Sequence, residues 1–352
     1  MALDMVKLTE FLGKFVTDLG ATVAAGNVVV GHRLGLYGVL AQSGAMTADD
    51  LASHTETNPR YITEWLRGQA AGGYVEYDAD ADTYSMTEEQ AFALADPDGA
   101  VYAPGAFVLA LGALKAEPQI TERFRSGEGL GWHEHDEDVF VGCEQFFRPG
   151  YIANLVPAWI PALDGVEAKL RAGARVADLG CGLGASTVLL AKEYGESTFF
   201  GSDYHAHSIE LAAKRASAAG VAERVSFEVA TAADFSGSNY DLVATFDCLH
   251  DMGDPLATAK HVRQAIAKDG TWLVVEPYAG DTVSDNLNPV GRVYYNFSTL
   301  LCVPNALSQQ GGYALGAQAG EAAIRRVVTD AGFTRFRRAA ETPFNIVYEV
   351  RP

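Results

Sequence analysis

Positive charge is what this chain has least of. Its 352 residues carry 26 Lys and Arg against 45 Asp and Glu, a formal net charge of −19. A field of that sign repels phosphate backbones and anionic lipid surfaces, so neither nucleic acid nor membrane is expected among its partners. Cysteine is scarce too: Cys143, Cys181, Cys248 and Cys302 lie far apart with no paired spacing. That argues against a disulfide framework and for reduced thiols in a cytoplasmic protein. No apolar run reaches membrane-spanning length, because His32, Arg33 and several glycines interrupt the nearest one, Ala24 to Leu40. A basic-then-apolar leader is missing as well, so no export signal is expected. What remains is an ordinary globular composition, 48% hydrophobic and 20% charged, long enough for two domains with a core each.

The most informative stretch is Val176-Ala-Asp178-Leu-Gly180-Cys-Gly182-Leu-Gly184, followed by Ala185-Ser-Thr-Val188. It reads as strand, glycine-rich turn and helix start. Glycines let the backbone approach a ligand without Cβ clashes, and a helix start offers unpaired N–H groups. Gly180-x-Gly182-x-x-Ala185 also fits the dinucleotide fingerprint, so glycine spacing alone leaves NAD open. Two acids tilt the reading. Asp178 stands where dinucleotide loops carry an apolar residue, and a carboxylate there suits a ligand with an ammonium group. Asp203 closes a second strand, Thr198–Asp203, where a ribose-binding acid belongs. Together Asp178, Gly180, Gly182, Gly184 and Asp203 resemble the S-adenosylmethionine site of class I methyltransferases.

Upstream, Leu8, Phe11, Leu12, Phe15 and Leu19 recur at helical spacing. Such a stripe packs either against another subunit or within its own domain. Residues 46 to 90 read as helix, turn, helix and hairpin, a winged helix: Thr47 and Asp50 fit a capping box, Gly72-Gly73 end the second helix, and an Asp-rich turn joins two short strands. Winged helices often bind DNA, yet residues 1–100 hold five Lys and Arg against fifteen Asp and Glu. Phosphate neutralisation needs the opposite balance, so a dimerisation scaffold is the preferred reading. In Trp132–Asp138, His133, Glu134 and His135 lack a third ligand at metal spacing, and the plain expectation is a solvated acidic loop. From 176 onward strands and helices alternate, giving a doubly wound parallel sheet. A long insertion at 288–316, a helix at 319–331 and an antiparallel hairpin close the chain.

One further segment carries chemistry. Phe246-Asp247-Cys248-Leu249-His250-Asp251-Met252-Gly253-Asp254 leaves the carboxyl end of the fourth strand, where open α/β sheets place ligands. It resembles the His-Asp-Trp-Ser-Asp segment of small-molecule O-methyltransferases of the plant phenylpropanoid and bacterial polyketide-tailoring kinds, with Met252 replacing the tryptophan. The resemblance runs nearly end to end. It implies a Rossmann-like class I sheet with a C-terminal hairpin over 171–352, a helical connector over 101–170, a winged-helix homodimerisation domain over 1–100, S-adenosylmethionine as cofactor and a small-molecule acceptor. His250 would be the general base, oriented by Glu276 or Asp251. A second orienting acid of that family falls near Gln318, a departure that weakens the orientation of the base. Tyr204 would stack on adenine, Thr231 and Ala232 would take the place of the usual adenine-binding acid, and Asp247 is counted with the cofactor contacts. The acceptor pocket is expected from Trp132, Phe146, Phe147, Tyr151, Tyr294, Tyr295, Asn296 and Leu300. The competing reading is a transcriptional regulator that keeps this fold as a ligand sensor.

Overall fold

The computed structural model describes residues 3–352 and divides the chain into two compact units. The first runs up to Leu111 and takes in Val141–Pro149; the second comprises Gly112–Phe140 and Gly150–Pro352.

The first unit begins with α1 (Met5–Arg33), capped by the Asp4 carboxylate accepting from the Val6 and Lys7 amides. Phe11, Phe15 and Leu19 are each more than half exposed, so the reading that buries this stripe within its own domain is wrong. The buried residues of α1 lie in its last turns, around Ala25, Val28 and Val29. Among the described residues no single helix is long and apolar enough to cross a membrane, although α1 and α2 (Leu36–Ser43) pass that test together across a 69° bend. Next come α3 (Ala48–His54), α4 (Pro59–Ala71) and the antiparallel pair β1 (Glu76–Asp78) and β2 (Thr83–Ser85). This is the helix-turn-helix and hairpin expected from the sequence. Thr47 and Asp50 cap α3 reciprocally, and Asn58 caps α4 with Pro59 in its first turn. Leu36, Leu40, Leu51, Ile62, Leu66 and Tyr84 form the core. Tyr37 Oη donates to Gln69 Oε1 at 2.7 Å, which satisfies the one polar side chain α4 buries there. Then follow α5 (Glu88–Leu94), α6 (Pro104–Leu114), α7 (Glu117–Ser126) and α8 (Glu137–Asn154), the middle of α8 belonging to the first unit.

The second unit continues through α9 (Val166–Ala172), β3 (Arg175–Leu179), α10 (Ala185–Glu193), β4 (Thr198–Asp203), α11 (Ala206–Ala218), β5 (Val225–Val229), β6 (Tyr240–Phe246), α12 (Pro255–Ala265) and β7 (Ile266–Pro277). After β7 come α13 (Pro289–Phe297), a π-helical turn at Ser298–Cys302, α14 (Val303–Ser308), α15 (Gly320–Asp330), β8 (Arg335–Glu341) and β9 (Asn345–Arg351). The seven strands lie in the order β5-β4-β3-β6-β7-β9-β8. The first five are parallel, and β9 runs antiparallel between β7 and β8. Strand order reverses between β3 and β6, which opens a crevice at their carboxyl ends. Val176, Ala177, Leu242, Val243, Leu273 and Val275 are at most 1% exposed, as central parallel strands covered on both faces must be.

The boundary between α12 and β7 is abrupt. The helix stops at Ala265 and Ile266 immediately pairs with Tyr240, with a bulge before Leu242 meets Thr271. Asp269-Gly270 sits in that bulge. A side chain at 270 would come within 2.8 Å of the Tyr240 carbonyl, so only glycine fits the approach.

Candidate active site

The glycine loop leaves β3 and folds back on its neighbour. The Gly180 and Cys181 amides donate to the Ser202 carbonyl at 2.8 and 3.0 Å, and Gly182 N–H donates to Asp203 Oδ2 at 2.9 Å. Gly180, Gly182 and Gly184 all have positive φ. At Gly180 a Cβ would meet Cys248 Sγ at 2.9 Å, whereas at Gly182 it would meet open space. The loop is therefore tied down at one glycine and bare at the next.

Asp178 lies beneath it, 1% exposed. Its Oδ2 accepts from Ser186 Oγ at 2.6 Å and Thr187 Oγ1 at 2.5 Å, while its buried Oδ1 has no partner. Burial raises its pKa to about 6, against the lowering effect of the two hydroxyls. An unsatisfied buried carboxylate oxygen next to an open glycine fits the ammonium group of S-adenosylmethionine. Asp203 faces the same loop; burial pushes its pKa up too, while the Gly182 and His205 amides oppose that. Thr231 and Ala232 follow β5; Thr231 is exposed and its hydroxyl donates to Asp234 Oδ1 at 2.5 Å.

The second cluster sits where β6 and β7 end. His250 lies in a 3₁₀ turn, Leu249–Asp251, that follows β6, and Glu276 is near the end of β7. His250 Nδ1 is 2.7 Å from Glu276 Oε2, and the Leu249 amide donates to Glu276 Oε1 at 3.0 Å. The two side chains are 4% and 5% exposed. Burial disfavours the imidazolium, but the Glu276 carboxylate and the adjoining Cys302 thiol outweigh it, and the His250 pKa stands well above its ordinary value. Asp251 does not hold the ring. Its Oδ2 accepts from Trp132 Nε1 at 3.0 Å and Asn305 Nδ2 at 3.3 Å, and burial raises its pKa to about 6. Asp247 adopts φ +51°, and its carboxylate accepts from Asn345 Nδ2 at 2.6 Å and Tyr151 Oη at 3.4 Å. Both its oxygens are thus engaged, beside the charges of His250 and Glu276.

Other expected positions are distributed unevenly. Tyr204 Oη donates to Asn305 Oδ1 at 3.3 Å. Gln318 turns its amide to the Tyr278 and Ala317 carbonyls and makes no contact with the base. Tyr294 is buried with its hydroxyl on the Phe344 carbonyl, and Asn296 is exposed, donating to the Arg292 carbonyl. Phe146 and Phe147 belong to the first unit, where their rings pack 4.9 Å apart. The expectation of a solvated loop at Trp132–Asp138 needs correction: His135 is 9% exposed, Trp132 reaches Asp251, and Asp136 and Asp138 pair with Lys115 at 2.8 and 2.9 Å. Among the described residues no three His, Cys, Asp or Glu side chains are grouped to hold a metal ion. Asn305, Asn345 and Cys302 had no signal in the sequence. Two are asparagines reaching across 54 and 98 residues to their acids, and the third is a thiol in a π-helical turn.

A family model described as a methyltransferase domain matches residues 170–315. These residues form a methyltransferase domain. A second model, described as an Rv2258c-like winged HTH domain, matches residues 22–96. Norajmaline N-methyltransferase of Rauvolfia serpentina is 28% identical over 169 residues, covering 44% of this chain and 54% of that protein. The chain spans about half the length of the curated relatives it matches. Human N-acetylserotonin methyltransferase, solved with S-adenosylmethionine, superposes on 99% of both chains with a TM-score of 0.72 at 15% identity. Mitomycin 7-O-methyltransferase covers 99% of this chain and 100% of its own at a TM-score of 0.67 and 18% identity. At such identities the likeness is one of fold.

Proposed function

We propose that the whole chain is an S-adenosylmethionine-dependent methyltransferase acting on the hydroxyl of a small, aromatic or polyketide-like molecule, with His250 as general base. The observation that carries this is the buried His250–Glu276 pair at the carboxyl ends of β6 and β7. The bound cofactor supplies an electrophilic methyl group. Asp178 Oδ1 would take its ammonium, Asp203 its ribose hydroxyls, and the open face of Gly182 its backbone approach. Asp247 is better placed among the groups that surround the acceptor, through Tyr151 and Asn345.

The work of this chain's residues is to position the acceptor and remove its proton. With Nδ1 held by Glu276, the other ring nitrogen, on the side of the Cys302 thiol, is the one that would have to take the hydroxyl proton. Phenols ionise near pH 10, so an imidazole whose pKa is raised is a better-matched base than a free histidine. The same elevation means the base must first lose its own proton, so turnover should climb with pH above ~6.5. Small-molecule names among the relatives, norajmaline and mitomycin, agree with an acceptor of this size and leave both N- and O-methylation represented.

The exposed stripe of α1 supports a homodimer, because a second copy would cover Phe11, Phe15 and Leu19 across a two-fold axis. The regulator reading is disfavoured by the acidic wing and by Arg60, whose guanidinium pairs with Glu64 at 2.5 Å within α4. Calorimetry with S-adenosylhomocysteine tests the cofactor assignment, and no heat at millimolar ligand would end it. His250→Ala should bind that ligand as the parent does and lose most of its methyl transfer.

A further inference from the structure

Asn305 is 2% exposed on α14, and every part of its amide is engaged. Its Oδ1 accepts from Tyr204 Oη and from the Trp132 backbone amide, each at 3.3 Å. Its Nδ2 reaches the Asp251 carbonyl at 3.1 Å and Asp251 Oδ2 at 3.3 Å. Trp132 Nε1 also donates to that oxygen, at 3.0 Å. The segment bearing Trp132 is fixed to the same helix by the Leu130 amide on the Pro304 carbonyl at 2.9 Å. Gln309 adds a bond to the Asp251 carbonyl at 3.2 Å. Rotating the amide by half a turn would set donor against donor at the Trp132 backbone amide and acceptor against acceptor at both Asp251 oxygens, with only the Tyr204 hydroxyl able to adapt, so its orientation is locked.

Each side of this amide belongs to a different part of the site. Tyr204 directly follows Asp203, the acid that holds the glycine loop through Gly182. Asp251 directly follows His250. We infer that Asn305 couples the two: a ligand entering the cofactor cleft and moving Tyr204 is felt at Asp251 and Trp132, so cofactor and acceptor bind cooperatively. The inference rests on the S-adenosylmethionine reading above. Its physical basis is that one small amide bridges four groups, so a shift of one partner that drags the amide weakens the bonds on the other side. Coupling is reciprocal, and an acceptor that reorders Trp132 must change cofactor affinity by the same factor, on the order of fivefold or more.

Trp132 provides a readout that needs no acceptor. Full-length protein is titrated with S-adenosylhomocysteine while heat and indole emission are followed, and Trp132→Phe identifies the share of the signal that comes from residue 132. Ligand should alter Trp132 emission in the parent. Tyr204→Phe keeps the ring and removes only the hydroxyl; it should still bind the ligand while the emission response disappears. Asn305→Leu should behave likewise, and the milder tyrosine variant decides the matter if that protein does not fold. An emission response unchanged in Tyr204→Phe, or heat in the parent with a silent Trp132, overturns the coupling alone. No heat in the parent overturns the cofactor reading and the coupling with it.

Discussion

The two units treat ionisable groups in opposite ways. In the first, charges sit on the surface and pair locally: Arg60 with Glu64 on α4, Asp50 with its own capping threonine, and an acidic wing open to water. In the second, Asp178, Asp203, Asp247, His250, Asp251 and Glu276 are withdrawn from solvent near the carboxyl ends of the strands, and burial is the largest influence on the pKa of Asp178, Asp203, Asp247, His250 and Asp251. Surface pairs contribute little to stability, whereas buried ones alter chemistry. The contrast teaches where substitutions should matter and in which assay. Stability should reside in the apolar core of the first unit and turnover in the polar core of the second.

The largest expected effect is on turnover. His250→Ala should lower it by ~10²–10⁴-fold, the range for a lost general base, while S-adenosylhomocysteine binding stays within a factor of a few. Steady-state rates beside calorimetry check both halves. A comparable loss of stability belongs to the other unit. Trp65 is 5% exposed and its Nε1 donates to the Asn27 carbonyl at 2.8 Å, so Trp65→Ala should cost ~3–5 kcal/mol in chemical denaturation. If that variant instead lost ligand affinity at unchanged stability, the division of labour would be false.

Glu276→Gln is the sharper test of the buried pair. Without the carboxylate, the histidine pKa falls, and the acid limb of the kcat/KM profile should move to lower pH as the plateau drops. Stability should respond with a definite sign. A histidine whose folded pKa is raised contributes stability that is fully present below its unfolded value of ~6.5 and is lost as pH rises through the folded value. The parent should thus lose more stability than Glu276→Gln between neutral and alkaline pH. Unfolding curves at several pH values would reveal the opposite trend if the pair were not ionised. Substituting both Phe15 and Leu19 by Glu should convert a dimer to a monomer in light scattering with little change in Tm, since neither is covered within the chain. Least of all should change on Arg60→Ala, an exposed i,i+4 pair: no measurable shift in Tm is expected.

Much of the fold was legible because it depends on local pattern. The alternating strands and helices, the glycine loop, the capping box of α3 and the terminal hairpin each announce themselves within a dozen residues. His250 and Glu276 were legible because both leave strand ends in a recognisable segment. The rest depends on contacts that no spacing reveals. Asn345 reaches Asp247 only because β9 slots between β7 and β8, and Asn305 reaches Asp251 only after the insertion folds back. The stripe on α1 had two physically equal explanations, and burial in three dimensions was needed to reject one.

The position of β9 also bears on how the protein is made. A ribosome releases β7 long before β9, so for some seventy residues of synthesis the edge of β7 that β9 will cover stays unpaired. Until residue 345 emerges, Asp247 lacks its amide partner and the histidine corner lacks a wall. Among the described residues the first unit has no strand awaiting so late a partner and pairs its small hairpin at once, though residues 141–149 must join it. The nascent chain should therefore resist protease over its winged helix well before its catalytic sheet does, and depend on chaperones in the interval.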